Sequence, residues 1–271
     1  LPSEMKRKIG LIAGEGGFPF LVAQAAREKD FEVIAVAIRE EASPELSQVV
    51  DRLYWIHIGE LGKLIKALQR EGITQAVMAG KIQKRYLFSQ IKPDLKATLL
   101  YMRLKEKNDD AILEGICDEL KREGIEVLEC TPFVSRLLIP PGVLTRRAPS
   151  QWEWRDIEFG RRMARLIAGM DIGQTVVVKN CAVLAVEAIE GTNEAIRRGA
   201  AWGGERVVIV KVAKPHQDLR FDVPVVGKDT LEVMREVKAS VLALDAGKVI
   251  AVDQEGMLSV AEEAKIAIVA D

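Results

Sequence analysis

Through the first half of the chain, short apolar runs alternate with stretches in which apolar residues return at helical spacing. Lys8–Ala13, Phe31–Ile38, Tyr54–Ile58 and Thr74–Met78 read as strands, with Ile125–Leu128 another. Between them Phe18–Lys29, Glu45–Val50, Glu60–Glu71, Pro93–Leu104 and Asp109–Glu123 read as helices; Leu61, Leu64, Ile65 and Leu68 line one face of the third, and Asn108 stands where a cap belongs before the last. Strand-helix alternation of this kind predicts a parallel, Rossmann-like sheet, because each crossover helix returns the chain to the same sheet edge. Residues 5–132 form this N-terminal domain.

The pattern changes at 133–150, where Pro140-Pro141-Gly142 and Ala148-Pro149-Ser150 interrupt it, and this stretch reads as a linker able to act as a hinge. A second, mixed α/β domain over 151–271 begins with a helix at about 152–168. Gln174–Lys179 and Ala182–Ile189 then alternate around Asn180 as a hairpin. A helix over 192–201 follows, with the Thr192 hydroxyl placed to accept from the N–H of Glu194 or Ala195. A strand at 206–212, a helix at about 229–238 and strands near 240–244 and 248–252 complete the expectation.

Composition narrows the function classes. With 271 residues, 48% of them hydrophobic, the chain can bury two ordinary cores. Thirty-nine basic against 40 acidic residues leave a formal net charge of −1, so no global field draws it to nucleic acid or an anionic membrane, and only local clusters such as Arg146-Arg147, Arg161-Arg162-Arg165 and Arg197-Arg198 stand out. Cys117, Cys130 and Cys181 fit neither a zinc site nor a disulfide framework, which points to a reducing, cytoplasmic setting. No apolar run reaches the length of a membrane span, so a lipid would be met from the surface. Leu1–Glu4 is left out of the fold argument.

The chemistry concentrates at 187–227. Carboxylates stand at Glu187, Glu190, Asp218 and Asp222, cations at Lys211, Lys214 and Arg220, and Gly191-Thr192-Asn193 opens a helix. That combination suits a phosphate ester, whose charge is neutralised by Lys or Arg, by helix-start N–H groups and by a carboxylate-held Mg²⁺. Asp222 sits among apolar neighbours that disfavour a buried acid without a metal, cation or donor. In the first half, Gly14-Glu15-Gly16-Gly17 follows a strand, but Pro19 replaces the third glycine of a dinucleotide fingerprint. The turn either brings Gly14 and Gly16 to part of a nucleotide or only shapes the βα connection. Gly80-Lys81 closes the fourth strand, at the edge where ligands of such sheets collect. His57 reads as a structural residue, and His216 lies in the site loop.

Four segments carry a resemblance: Asp-Ile-Gly-Gln-Thr-Val-Val-Val at 171–178, Ala-Val-Glu-Ala-Ile-Glu-Gly-Thr-Asn at 185–193, Val-Lys-Val-Ala-Lys-Pro at 210–215 and Gln-Asp-Leu-Arg-Phe-Asp-Val-Pro-Val-Val-Gly at 217–227. With Gly-Leu-Ile-Ala-Gly-Glu-Gly-Gly-Phe-Pro at 10–19, Ala-Gly-Lys at 79–81 and Asn-Asp-Asp-Ala-Ile-Leu at 108–113, they resemble the LpxI family, the UDP-2,3-diacylglucosamine pyrophosphatases of bacterial lipid A synthesis. The resemblance implies Mg²⁺-assisted hydrolysis to UMP and 2,3-diacylglucosamine 1-phosphate, with water attacking the sugar-side phosphorus. It also implies a homodimer in peripheral contact with the inner membrane. Asp222, Lys211 and Lys214 are then the catalytic candidates, Asp222 either holding metal or orienting water. Asp222, Glu190 and Glu187 are the metal candidates. Gly14, Gly16, Gly80, Lys81, Asp109, Asp110, Gln174, Gly191, Thr192, Asn193 and Arg220 are the substrate contacts. A module that binds a nucleotide sugar or phospholipid without hydrolysing it is the rival class.

Overall fold

The computed structural model describes residues 7–82, 92–105, 109–215, 218–221 and 223–271, except the Asp109 side chain. The chain divides into two compact units. The first runs to Ser135 and also takes in Leu219–Phe221; the second holds the rest.

The first unit is the parallel α/β layer its alternation predicts. Strands β1 (Arg7–Ala13), β2 (Phe31–Ile38), β3 (Arg52–Ile56), β4 (Gln75–Ala79) and β5 (Glu126–Leu128) pair in parallel in the order β3-β2-β1-β4-β5. Helices α1 (Phe18–Glu28), α2 (Leu61–Arg70), α3 (Leu95–Arg103) and α4 (Asp109–Arg122) make the crossovers, and Pro44–Gln48 is a 3₁₀ turn rather than a helix. The expected stripe Leu61, Leu64, Ile65 and Leu68 is buried, packed with Ile34, Val36, Leu100, Leu120 and Ile125. Phe221, from late in the chain, packs against this same core. The strand order reverses at β1, so the crevice between the carboxyl ends of β1 and β4 is the switch point where ligands of open sheets bind.

The second unit is a six-stranded mixed sheet in the order β6-β13-β11-β9-β7-β8, where β6 is Gly142–Val143, β7 Thr175–Lys179, β8 Ala182–Val186, β9 Val208–Lys211, β11 Val241–Leu244 and β13 Ala267–Ala270. Two further strands, β10 (Val225–Gly227) and β12 (Ile250–Val252), pair separately. Helix α5 (Gln151–Gly169) covers one face, packing Ile157 and Ala164 on Val176, Val178, Val208 and Val210. Helices α6 (Thr192–Gly203), α7 (Lys228–Glu236) and α8 (Gln254–Glu263) supply Ile196, Leu231, Met234, Met257 and Val260 to the other. Each fully buried aliphatic side chain contributes roughly 1.5–3 kcal/mol, so alternate residues of every central strand stabilise opposite faces. Asn180 and Cys181, both with positive φ, make the expected hairpin turn, and Asp156 accepts from their N–H groups at 2.9 and 2.6 Å.

Two further expectations change. The stretch 133–150 is not a free linker: Ile139 is fully buried, its N–H donates to Val249 O, β6 pairs with β13, and the Thr145 hydroxyl accepts from Ile268 N–H. Its prolines mark irregular backbone built into the second unit, which begins at Arg136. The chain after 252, left without elements, forms α8 and the inner strand β13.

Candidate functional site

Strand pairing builds the chemistry of the second unit. Thr175 begins β7 directly opposite Lys211 at the carboxyl end of β9, and on its other side Glu187 donates its N–H to Thr175 O at 2.8 Å. Side chains on a strand alternate between faces. Glu187, Thr175 and Lys211 therefore share the face of Ala185, Val177 and Ile209, the one that α6 covers. They form a polar row at the edge of an apolar layer, and all three are buried.

Thr192, the first residue of α6, closes the row from above. Its hydroxyl donates to Glu187 Oε1 at 2.8 Å and accepts from Lys211 Nζ at 2.9 Å. This corrects the expected role: Gly191 (φ 83°) is the cap residue and no side chain caps the helix. Thr192 is already in the helix, so its hydroxyl turns to the sheet. The left-handed φ at Gly191 is one that a side chain disfavours. Burial pushes the Glu187 pKa up, but the Lys211 charge and the hydrogen bonds it receives outweigh this, holding the carboxyl below its ordinary range.

Among the described residues, four buried side-chain polar atoms lack a hydrogen-bond partner, and three belong to this corner: Gln174 Oε1, Thr175 Oγ1 and Glu187 Oε2. The Thr175 hydroxyl is close enough to favour the Glu187 carboxylate without meeting hydrogen-bond geometry. An orphaned buried polar atom costs on the order of 1–3 kcal/mol, so clustered ones mark a place finished by something else. Gly173 is a residue that sequence reasoning missed. A Cβ there would stand 2.0 Å from Glu187 O, so only glycine lets the entry to β7 lie against the exit from β8.

The other candidates are distributed around this row. Asn193 Oδ1 accepts from Thr230 Oγ1 at 3.3 Å, tying α6 to α7. Lys214 pairs with Asp171 at 2.7 Å. Glu190 pairs with Arg198 at a more exposed position, apart from the Thr192 hydrogen bonds. Arg220 stands over the Phe221 ring in the segment that belongs to the first unit. As a metal set the described residues fit only in part. Glu187 offers one free, buried oxygen, but no three Asp, Glu, His or Cys residues among those described converge. Asp222, His216 and Asn108 lie outside the described residues, as does the side chain of Asp109; Asp110 stands in the first turn of α4.

In the first unit, Gly14, Gly80 and Lys81 meet at the switch point. Gly14 N–H donates to Ala79 O, Glu15 N–H to Lys81 O and Lys81 N–H to Glu15 O, at 2.8–3.1 Å. A Cβ on Gly80 (φ 95°) would lie 2.7 Å from Gly14 C. The two turns clasp each other, so the turn-shaping role of the first glycine is filled, while Gly16 (φ 96°) has open space around its Cα. His57 has the structural role expected of it: its Nδ1 lies 2.7 Å from Glu40.

A parallel unit whose β1 and β4 turns meet at the switch point, and a mixed unit with a buried cation and carboxylate under a helix start, define a two-unit α/β protein. The first unit matches the model of the LpxI N-terminal domain over residues 8–137, and the second that of the LpxI C-terminal domain over 140–269. The chain is 32% identical over 268 residues, 95% of each protein, to the UDP-2,3-diacylglucosamine pyrophosphatase LpxI of Caulobacter vibrioides. It belongs to the LpxI family. Among solved structures, the biotin carboxylase domain of Hydrogenobacter thermophilus 2-oxoglutarate carboxylase aligns with 73% of this chain and 41% of its own at 12% identity and a TM-score of 0.29. N5-carboxyaminoimidazole ribonucleotide synthetase of Thermotoga maritima aligns with 69% and 43% at 15% identity and 0.25. The chain thus spans less than half of each, and such low scores carry no argument.

Proposed function

We propose that this chain hydrolyses the diphosphate of UDP-2,3-diacylglucosamine, releasing UMP and 2,3-diacylglucosamine 1-phosphate; its Caulobacter relative is named a UDP-2,3-diacylglucosamine pyrophosphatase. The family match over both units carries the reading. The row at the end of β9 gives it a physical basis. Lys211, held by Thr192 beneath the α6 start, supplies a fixed positive charge where a phosphate would collect charge as its P–O bond breaks. Glu187 helps hold that lysine in place through the Thr192 hydroxyl. Lys214 and Arg220 are further candidates for the diphosphate, and Asp222 orients the attacking water or holds a cation. Mg²⁺ is the proposed cofactor, supplying charge neutralisation on the phosphates, with Asp222 and Glu187 as its candidate ligands and Glu190 the weaker one because of Arg198. Gly14, Gly16, Gly80, Lys81, Asp109, Asp110, Gln174 and Asn193 remain proposed substrate contacts. A homodimer on the cytoplasmic side of the inner membrane completes the proposal. Among the described residues no helix is long and apolar enough to cross a membrane.

The test is incubation with UDP-2,3-diacylglucosamine in detergent micelles, with and without Mg²⁺, following UMP and the acylated sugar phosphate. Both products are expected only with metal. Asp222→Ala is expected to abolish turnover while substrate still binds; near-normal rates in that folded variant would remove Asp222 from the mechanism.

A further inference from the structure

A surface helix normally buries one apolar stripe and shows a polar face to water. Helix α3 shows two apolar faces. Its inner one is formed by Leu100, with Ala97 and Leu104 packed against the first unit's core. On the other side Leu95, Leu99 and Met102 recur at i, i+4 and i+7, a spacing that aligns them along one exposed stripe. Leu95 and Met102 are each 75% exposed, Leu99 42%.

The stripe has a basic setting. Residues 92–105 hold Lys92, Lys96, Arg103 and Lys105 against one acid, Asp94, in a chain whose formal net charge is −1. Lys96 is drawn inward to Glu119 and Glu123 on α4. Lys92, Arg103 and Lys105 are exposed at the two ends of the stripe. Asp94 is engaged within the fold, its carboxylate accepting from Gly62 N–H at 2.6 Å and Ala97 N–H at 2.9 Å, so it fixes the start of α3 beside α2.

We infer that the outer face of α3 is a docking surface for an anionic phospholipid membrane. An apolar strip flanked by lysine and arginine is the pattern of a helix lying in the headgroup region, its aliphatic side chains among acyl carbons and its cations among lipid phosphates. A second copy of the chain would place these cations against each other, whereas an anionic bilayer matches both features. The inference deepens the proposed function and rests on it for its purpose, since a diacylated substrate resides in such a surface.

The experiment is co-sedimentation of the full chain with vesicles of phosphatidylglycerol and phosphatidylethanolamine, against phosphatidylcholine alone, at low salt and at about 0.5 M salt. The wild type is expected to bind the anionic vesicles and to weaken with salt. Leu95→Glu with Met102→Glu, and separately Arg103→Glu with Lys105→Glu, are expected to reduce that binding about tenfold. All variants should keep their circular dichroism spectrum and their hydrolysis of micellar substrate. A wild type that ignores anionic vesicles, or variants that bind as well as it does, would overturn the inference. So would a variant that changes only from dimer to monomer by light scattering, which would give the stripe to a second copy. Absence of hydrolysis by the wild type in micelles would sink the proposed activity and leave the vesicle result standing.

Discussion

Replacing Lys211 with Met tests whether the row at the end of β9 is an ionic unit or a coincidence of buried polar groups. One hydroxyl links Lys211 to Glu187 by hydrogen bonds of 2.9 and 2.8 Å, so the two charges are at most about 5.7 Å apart. At that separation, with an effective dielectric near 20, their attraction is worth about 3 kcal/mol. Removing the lysine leaves a buried carboxylate with Oε2 already lacking a partner, so Lys211→Met is expected to destabilise the second unit by roughly 3–5 kcal/mol at neutral pH. The sign with pH follows from the shift. In the wild type the folded pKa of Glu187 is depressed, so its contribution is present above the unfolded value near 4.5 and lost as pH falls through the lower folded value. Without Lys211 its lowering influence is lost and the folded pKa rises. The deficit should then be largest at neutral pH and above and shrink as acid protonates the carboxyl. Urea unfolding followed by tryptophan fluorescence suits this, because Trp152, Trp154 and Trp202 lie in the second unit and only Trp55 in the first. Adding Glu187→Gln to Lys211→Met should recover most of the loss. An unchanged urea midpoint, or a double variant no more stable than the single, would refute the ionic reading.

Two other predictions concern different parts of the fold. Gly80→Ala forces a side chain into a left-handed backbone and against Gly14, and should cost the first unit about 2–4 kcal/mol, whereas Gly16→Ala meets nothing and should cost about 1–2 kcal/mol; circular dichroism during urea unfolding separates them. A thiol reagent at pH 8 should label Cys181 rapidly and spare Cys117 and Cys130, because both are buried and burial pushes the Cys130 thiol up to about 11; fast labelling of all three in the native protein would contradict the packing.

The parallel unit was legible because each of its strands and helices carries its own period, and β1, β2 and α2 need no distant partner to be recognised. In the second unit the hairpin around Asn180 and Cys181, helices α5, α6 and α7 and strands β9, β11 and β12 were legible too, but β6, β10, α8 and β13 were not. Strand β13 joins the sheet between β6 and β11, strands far apart in the sequence, and that pairing leaves no local mark. The site shows the same division. Glu187, Lys211 and Thr192 stood out as charged or capping residues, but their common face depends on the register of β7 against two neighbours. Thr192 was misread for that reason: a hydroxyl at a helix start is a cap by local rules, and only the sheet beneath it supplies a stronger partner. Gly173 was hidden because the backbone it must clear belongs to residue 187.

Phe221 makes the order of synthesis matter. The first unit's own sequence is complete by Ser135, yet Leu219–Phe221 belong to the same unit, and Phe221 packs on its core. The ribosome delivers that aromatic ring 86 residues later, some 4–17 s at ordinary elongation rates. During that interval the nascent domain carries an unsealed apolar surface, a natural target for a chaperone. A fragment ending at residue 137 would keep that vulnerability permanently, so the tidy sequence boundary between the two halves is a poor place to cut this protein.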